Sequence, residues 1–346
     1  MKTLQLFTAG LESIPAASAW YLADLAEARG RQELYSRQSP QRLKVLREHA
    51  VVESAVSSNR IEGIEIDQER VKPVLFGRAL LRDRDEEEVR GYREALNFIH
   101  EGAAEIPVTE ETILKLHKTS RGDVWDAGRY KERDGDIIER YPDGRQRVRF
   151  ETVRVADTAE CMKALVNLWS RAIDERWVHP LLALASFNLD FLCIHPFRDG
   201  NGRVSRLLLL LQCYHLGFEV GRYISLERLI EQRKDRYYEI LETSSQGWHD
   251  GRHNPWPYIQ FVLSVLREAY KEFESRLTLT KSPRGAKREQ VETSATNFRR
   301  PFTLGDMERA CPGVSRDMIR KVLRDLRKQG VLDCLGRGPA ARWKKR

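Results

Sequence analysis

Two apolar stretches that flank a short polar loop constrain the fold of this chain more than any other feature. The first, Leu181–Ile194, is interrupted only by isolated polar residues such as Asn188 and Asp190. The second contains five consecutive leucines, Leu207–Leu211. A helix that is apolar on every side has to be buried, so the leucine run predicts a buried helix directly after the loop. Between the two lie His195-Pro196-Phe197-Arg198-Asp199-Gly200-Asn201-Gly202-Arg203-Val204-Ser205-Arg206.

The surrounding sequence is also helical in pattern. Trp20, Leu22, Leu25 and Ala26, and then Leu43, Leu46, Ala50, Val51 and Ala55, fall mostly three and four apart, as one buried helix face requires. Residues 85–101 repeat this pattern with acidic residues in the first turn, where the helix dipole favours them. Further helices are expected at Asp157–Ala172, Leu226–Thr243 and Trp256–Leu277. The exception is Gly128–Phe150, where Asp134-Gly135, Pro142-Asp143-Gly144 and the alternation Arg147-Val148-Arg149-Phe150 predict a β-hairpin.

Charge divides the chain unevenly. Of 59 Lys+Arg and 51 Asp+Glu, residues 281–346 hold 18 and 7, a net +11, and the first 280 hold 41 and 44, a net −3. No window of about 18 uninterrupted apolar residues occurs, and the first residues lack the apolar run of a signal peptide. A cytoplasmic chain without membrane contact is therefore expected. Five scattered cysteines with no C-x-x-C pair are read as reduced structural residues.

The chemistry concentrates in the loop. Gly200 and Gly202 can adopt positive φ and let backbone N–H groups converge, and the positive end of the following helix favours an anion. Arg203 and Arg206, three apart, could hold separate phosphate oxygens. Asp199 is a hard carboxylate suited to Mg²⁺ on a polyphosphate, and His195 can take a proton from a hydroxyl at neutral pH. No Walker-type phosphate loop is present.

The loop resembles the signature of the Fic family, H-P-F-x-[DE]-G-N-[GK]-R-x-x-R, at all nine specified positions. The resemblance implies transfer of AMP from ATP to a Ser, Thr or Tyr hydroxyl of a target protein. His195 would be the base and Phe197 an apolar anchor. Asp199 would hold Mg²⁺, with Mn²⁺ as the alternative. Gly200, Asn201, Gly202 and Arg203 would bind the phosphates, and Arg206 the γ-phosphate. Upstream, Ser58-x-x-x-Glu62-Gly63 resembles the family's inhibitory motif, in which the glutamate pairs with the second signature arginine, here Arg206. Taken alone, Glu62-Gly63 reads as a helix C-terminus. The resemblance also makes 137–150 a flap that pairs with the target's backbone, and Tyr237 or Tyr238 a wall of the nucleotide pocket; by itself, either tyrosine could equally be core.

The expected architecture is thus mainly α, a helical Fic core with a short β-hairpin flap and a C-terminal winged helix-turn-helix domain. Its parts are an N-terminal helical region over 1–110 with the inhibitory helix at about 45–63, a catalytic core over 111–277, a linker over 278–300 and the winged helix over 301–346. In the last, Thr303-x-x-Asp306 is a capping start, Ser315 an N-cap, Gly330 a helix stop, Arg316–Lys328 the recognition helix and Arg337 part of the wing. The +11 charge suits duplex DNA, with dimerisation or protein docking as the alternative. Two other functions are weighed against transfer: removal of AMP by a water placed by Glu62, and a nucleotide-sensing DNA-binding regulator.

Overall fold

The computed structural model describes residues 1–8, 13–36, 40–77, 80–140, 143–278, 286–298, 300–311, 314–336 and 341–345. They fall into two units, Met1–Glu274 and Ser275–Arg346. The structure is mainly helical. The first unit begins with α1 (Lys2–Thr8), α2 (Ala16–Ser36), α3 (Pro40–Ile61), α4 (Gln68–Phe76), α5 (Arg84–Gly102) and α6 (Glu110–Arg121). An antiparallel hairpin follows, β1 (Ile137–Arg140) and β2 (Gln146–Phe150). The unit continues through α7 (Val155–Asp174), α8 (Pro180–Ile194), α9 (Asn201–His215), α10 (Leu226–Glu231), α11 (Lys234–Ser245) and, as far as Glu274, α12 (Trp256–Thr278).

Helix α8 lies at the centre, with every residue from Leu181 to Ile194 buried. It packs on α1, α7 and α9, while α9 leans on α5 and α6. Asp190, fully buried, accepts from the Thr3 and Leu4 N–H groups and from the Trp248 indole, so α1 is tied to the middle of α8. The N-termini of α5 and α6 are capped by Asp83 and Thr109, whose side chains accept from Glu86 and Thr112 N–H.

Two helical expectations are corrected. On α2, Leu25 is buried but Trp20 is 71% exposed and Ala26 also faces solvent, because α2 offers only a narrow stripe to the core. The single helix expected over Leu226–Thr243 is two, α10 and α11. Leu229 and Ile230 on one and Tyr237 and Ile240 on the other are all buried, and the chain turns at Gln232 and Arg233 although neither residue is a helix breaker. The hairpin pairs Ile138 with Val148, two apolar side chains left 46% and 51% exposed.

The second unit has its own core, in which Val291, Phe302, Met307, Ile319, Val322, Leu323 and Leu332 are buried. Its elements are α13 (Ala286–Asn297), β3 (Phe302–Thr303), α14 (Leu304–Ala310), α15 (Arg316–Lys328), β4 (Leu332–Leu335) and β5 (Arg342–Lys345), with strand order β3-β5-β4. The stretch expected as a linker therefore carries a helix, and α13 packs on α15. Thr303 and Asp306 form a reciprocal capping box, and Ser315 caps α15. Arg337 lies outside the described residues. All five cysteines are free thiols, and among the described residues no helix is long and apolar enough to cross a membrane.

Candidate active site

His195 is the C-cap of α8 and adopts the left-handed conformation, φ 52° and ψ 61°. Among the described non-glycine residues only Arg176 shares a positive φ. The His195 N–H still bonds Phe191 O at 3.0 Å, and ring Nδ1 lies 3.3 Å from Leu192 O. That carbonyl fixes Nδ1 as the protonated nitrogen and leaves the lone pair on Nε2. Burial lowers the imidazole pKa to about 4 and the Lys131 ammonium adds to this, outweighing the opposing pull of the Leu192 carbonyl, Glu62 and Asp199. The ring is neutral at pH 7, the form a base requires.

The loop after His195 is locked from beneath. Phe197 is fully buried and stacks on His117, with ring centroids 3.8 Å apart. His117 accepts from Gly128 N–H at Nδ1 (2.9 Å) and so donates from Nε2 to Asp199 O (3.0 Å). The Asn201 side chain closes the loop on itself: Oδ1 accepts from Phe197 N–H at 2.9 Å, and Nδ2 donates to Phe197 O at 2.7 Å. Both polar ends of that amide are thus engaged by the loop's own backbone. Gly200 is the N-cap of α9 at φ 82° and offers no side chain to cap it. No side chain caps the first N–H groups of α9, which sit at the positive end of the helix, a geometry suited to an anion.

A buried charge cluster supports this turn. Glu88 on α5 is 2% exposed and joins the Arg121 and Arg203 guanidiniums, which are 3% and 1% exposed. Arg203 also donates to Asn59 Oδ1 at 3.3 Å. Asp199, 55% exposed, lies 2.8 Å from Arg121 and 3.7 Å from Arg203, and its Oδ1 accepts from Gly200 N–H at 2.6 Å. Arg203 is therefore enclosed beneath the loop, whereas Asp199 reaches solvent.

Arg206 faces α3. Its Nε donates to Ser58 Oγ at 2.9 Å, and Nη2 donates to Ser58 O at 3.0 Å and Glu62 Oε1 at 2.8 Å. Gly63, at φ 84°, ends α3 just beyond Glu62 in the left-handed region where glycine carries no penalty. The last carbonyls of α3 are capped from α11: Lys234 Nζ donates to Arg60 O and the Tyr238 hydroxyl to Ile61 O, both at 3.0 Å. A methyl group added to Gly202 would collide with the Glu62 carboxylate, so Glu62 lies directly on the first turn of α9.

These groups border one cleft of about 270 Å³, lined by Glu62, His195, Gly202, Tyr237 and Tyr238 with the apolar Leu189, Leu192 and Leu241, and closed on the hairpin side by Arg149 and Phe150. Tyr237 is buried and packs on Phe261, while Tyr238 is half-buried. Arg149 bonds Glu242 at 2.8 Å and Tyr238 O at 3.1 Å, holding the hairpin against α11. A second cavity, lined by Trp125, Lys131, Phe197 and Arg198, also reaches His195. His195 therefore lines both cavities. Glu88, His117, Arg121 and Lys131, which complete the site, escaped the sequence reading.

A mainly helical fold in which His195, Gly202 in the first turn of α9 and Glu62, itself paired with Arg206, border one cleft resembles known proteins. Residues 107–213 match the Fic/DOC family. A protein adenylyltransferase Fic from Nematostella vectensis is 26% identical over 256 residues, 70% of this chain and 53% of that protein; its Drosophila melanogaster counterpart is 24% identical over 64% of this chain and 41% of its own length. This chain spans about half the length of the curated relatives it matches. The fold resembles the crystal structure of a Fic family protein from Desulfovibrio desulfuricans, with TM-score 0.62, 23% identity and 96% and 97% of the two chains covered. The similarity to the Fic/DOC family thus lies in residues 107–213 of the 346.

Proposed function

We propose that this protein transfers AMP from ATP to a hydroxyl of a target protein, and that Glu62 holds it in an inhibited state. The observation that carries the reading is the placement of neutral His195 at the rim of a cleft floored by the uncapped N-terminus of α9. His195 Nε2 would take the hydroxyl proton as the oxygen attacks the α-phosphorus and pyrophosphate leaves. The α9 N–H groups would stabilise the charge that develops.

The residues present suit a phosphate-bound Mg²⁺ or Mn²⁺: among the described residues no cluster of three or more His, Cys, Asp or Glu side chains could hold a metal unaided, but Asp199 offers one solvent-reached carboxylate, and Mg²⁺ commonly takes one or two carboxylates with substrate phosphates. When bound, the ion would neutralise phosphate charge. Gly200, Gly202 and Arg206 would contact the phosphates. Asn201 and Arg203 would instead shape the loop, since their polar groups are engaged by Phe197, Glu88 and Asn59.

Inhibition follows from the Arg206–Glu62 pair, which a γ-phosphate would have to displace. The hairpin 137–150 would dock the target by strand addition. The order β3, α14, α15, β4, β5 with a three-stranded sheet in the second unit, and Arg316, Arg320 and Arg324 all exposed on α15, supports a winged helix that binds duplex DNA. For the transfer, lysate is incubated with ATP and Mg²⁺ and analysed by mass spectrometry. AMP adducts on protein hydroxyls should rise with Glu62→Gly and vanish with Glu62→Gly/His195→Ala; no adduct from Glu62→Gly with any nucleotide refutes the reading.

A further inference from the structure

Lys131 holds the main chain on both sides of His195. Its Nζ donates to the carbonyl of Ile194, the residue before the base, at 3.3 Å, and its backbone N–H donates to the carbonyl of Pro196, the residue after it, at 2.8 Å. Nζ also donates to Thr152 Oγ1 at 2.8 Å, and that hydroxyl donates to Gly135 O at 2.6 Å. The residue is 7% exposed. A buried ammonium bonded to neutral oxygens is a costly arrangement for simple packing. Burial pulls its pKa down to about 8 against the attraction of Asp134 and Asp136.

Ordinary helix ends satisfy their last carbonyls by a glycine turn or by water. Here the residue that must turn is the base itself, in the left-handed conformation. Rotating the Ile194–His195 peptide plane, or the Pro196–Phe197 plane one residue further on, breaks a bond to Lys131. We infer that Lys131 is a positioning residue for His195, fixing the backbone turn that aims the imidazole and tying that turn to the foot of the hairpin through Thr152. This rests on the reading of His195 as the transfer base. Lys131 is also one of three charged groups that act on the ring, with Glu62 and Asp199.

The test uses the full chain in the Glu62→Gly background. Lys131→Met should lower kcat about 100-fold, the scale of a misplacement near 1 Å, with KM for ATP changed less than about threefold, and Lys131→Arg should restore most of the rate. The His195 ring resonances, assigned with His195→Gln and followed by NMR, should shift in Lys131→Met, and their titration midpoint should rise with the loss of the nearby cation. A kcat within about threefold of the parent, or unmoved His195 resonances and midpoint, overturns the inference. If the parent transfers no nucleotide, the transfer reading has failed by itself and the NMR arm alone decides. Should Lys131→Met not fold, Thr152→Val, which removes one oxygen that holds the ammonium, carries the same readouts.

Discussion

Glu88→Gln should lower folding stability by about 3–5 kcal/mol, the cost of removing one partner from a buried ionic cluster. The carboxylate and its two partners, Arg121 and Arg203, are each no more than 3% exposed, so water cannot replace the lost charge. A glutamine could accept from one guanidinium through its oxygen but would turn N–H donors toward the other. Asp199 offsets part of the deficit from 2.8 Å and 3.7 Å away, although its side chain is 55% exposed. Arg84, 52% exposed, loses its partner at little cost. With an m-value of about 3 kcal/mol/M in urea, the midpoint should fall by about 1 M or more. Tryptophan fluorescence reports mainly the first unit, which holds six of the seven tryptophans. A fall of less than about 0.3 M would refute the argument that the cluster depends on Glu88. Adding Arg203→Met should recover part of the loss as a coupling term in the double-mutant cycle.

Other outcomes follow from the same geometry. Because burial holds His195 at about 4, the acid limb of kcat/KM for the Glu62→Gly variant should lie near pH 4, and a limb near 6.5 would contradict the buried neutral base. His100, His117 and His195 are all lowered to about 4 chiefly by burial. The unfolded chain therefore binds protons first: stability is full above about pH 6.5 and falls as pH drops toward 4. A melting temperature flat from pH 6.5 to 4.5 would exclude this. Tyr238→Phe removes the bond to Ile61 O and should raise AMP transfer several-fold toward the Glu62→Gly level, measured with radiolabelled ATP. For the second unit, the salt dependence of full-chain binding to duplex DNA should lose a slope of about 1 for each of Arg316, Arg320 and Arg324 changed to Ala.

The loop was legible because its chemistry is contiguous. His195, Asp199, Gly200 and Arg206 lie within twelve residues, and two apolar helices marked their setting. The supports were harder to read because they come from distant segments whose sole local mark is a polar residue on a buried helix face. Glu88 continues the line Tyr92, Ala95 and Ile99 on α5, and His117 and Arg121 sit beside Ile113, Leu116 and Ser120 on α6. A charged residue within such a stripe is a usable signal for a buried ionic partner. The break at Gln232 and the helix α13 had no such mark. The first follows tertiary burial on both sides of the turn. The second is a polar helix in which Val291 and Ala295 are the buried apolar residues.

The left-handed turn at His195 has a consequence for how such a chain can change over generations. A side chain in that region costs about 1–2 kcal/mol that glycine would not. His195→Gly should therefore abolish transfer while relieving strain. Selection for stability alone would favour glycine here, so a histidine persists only under a further constraint, the one that the proposed transfer would supply.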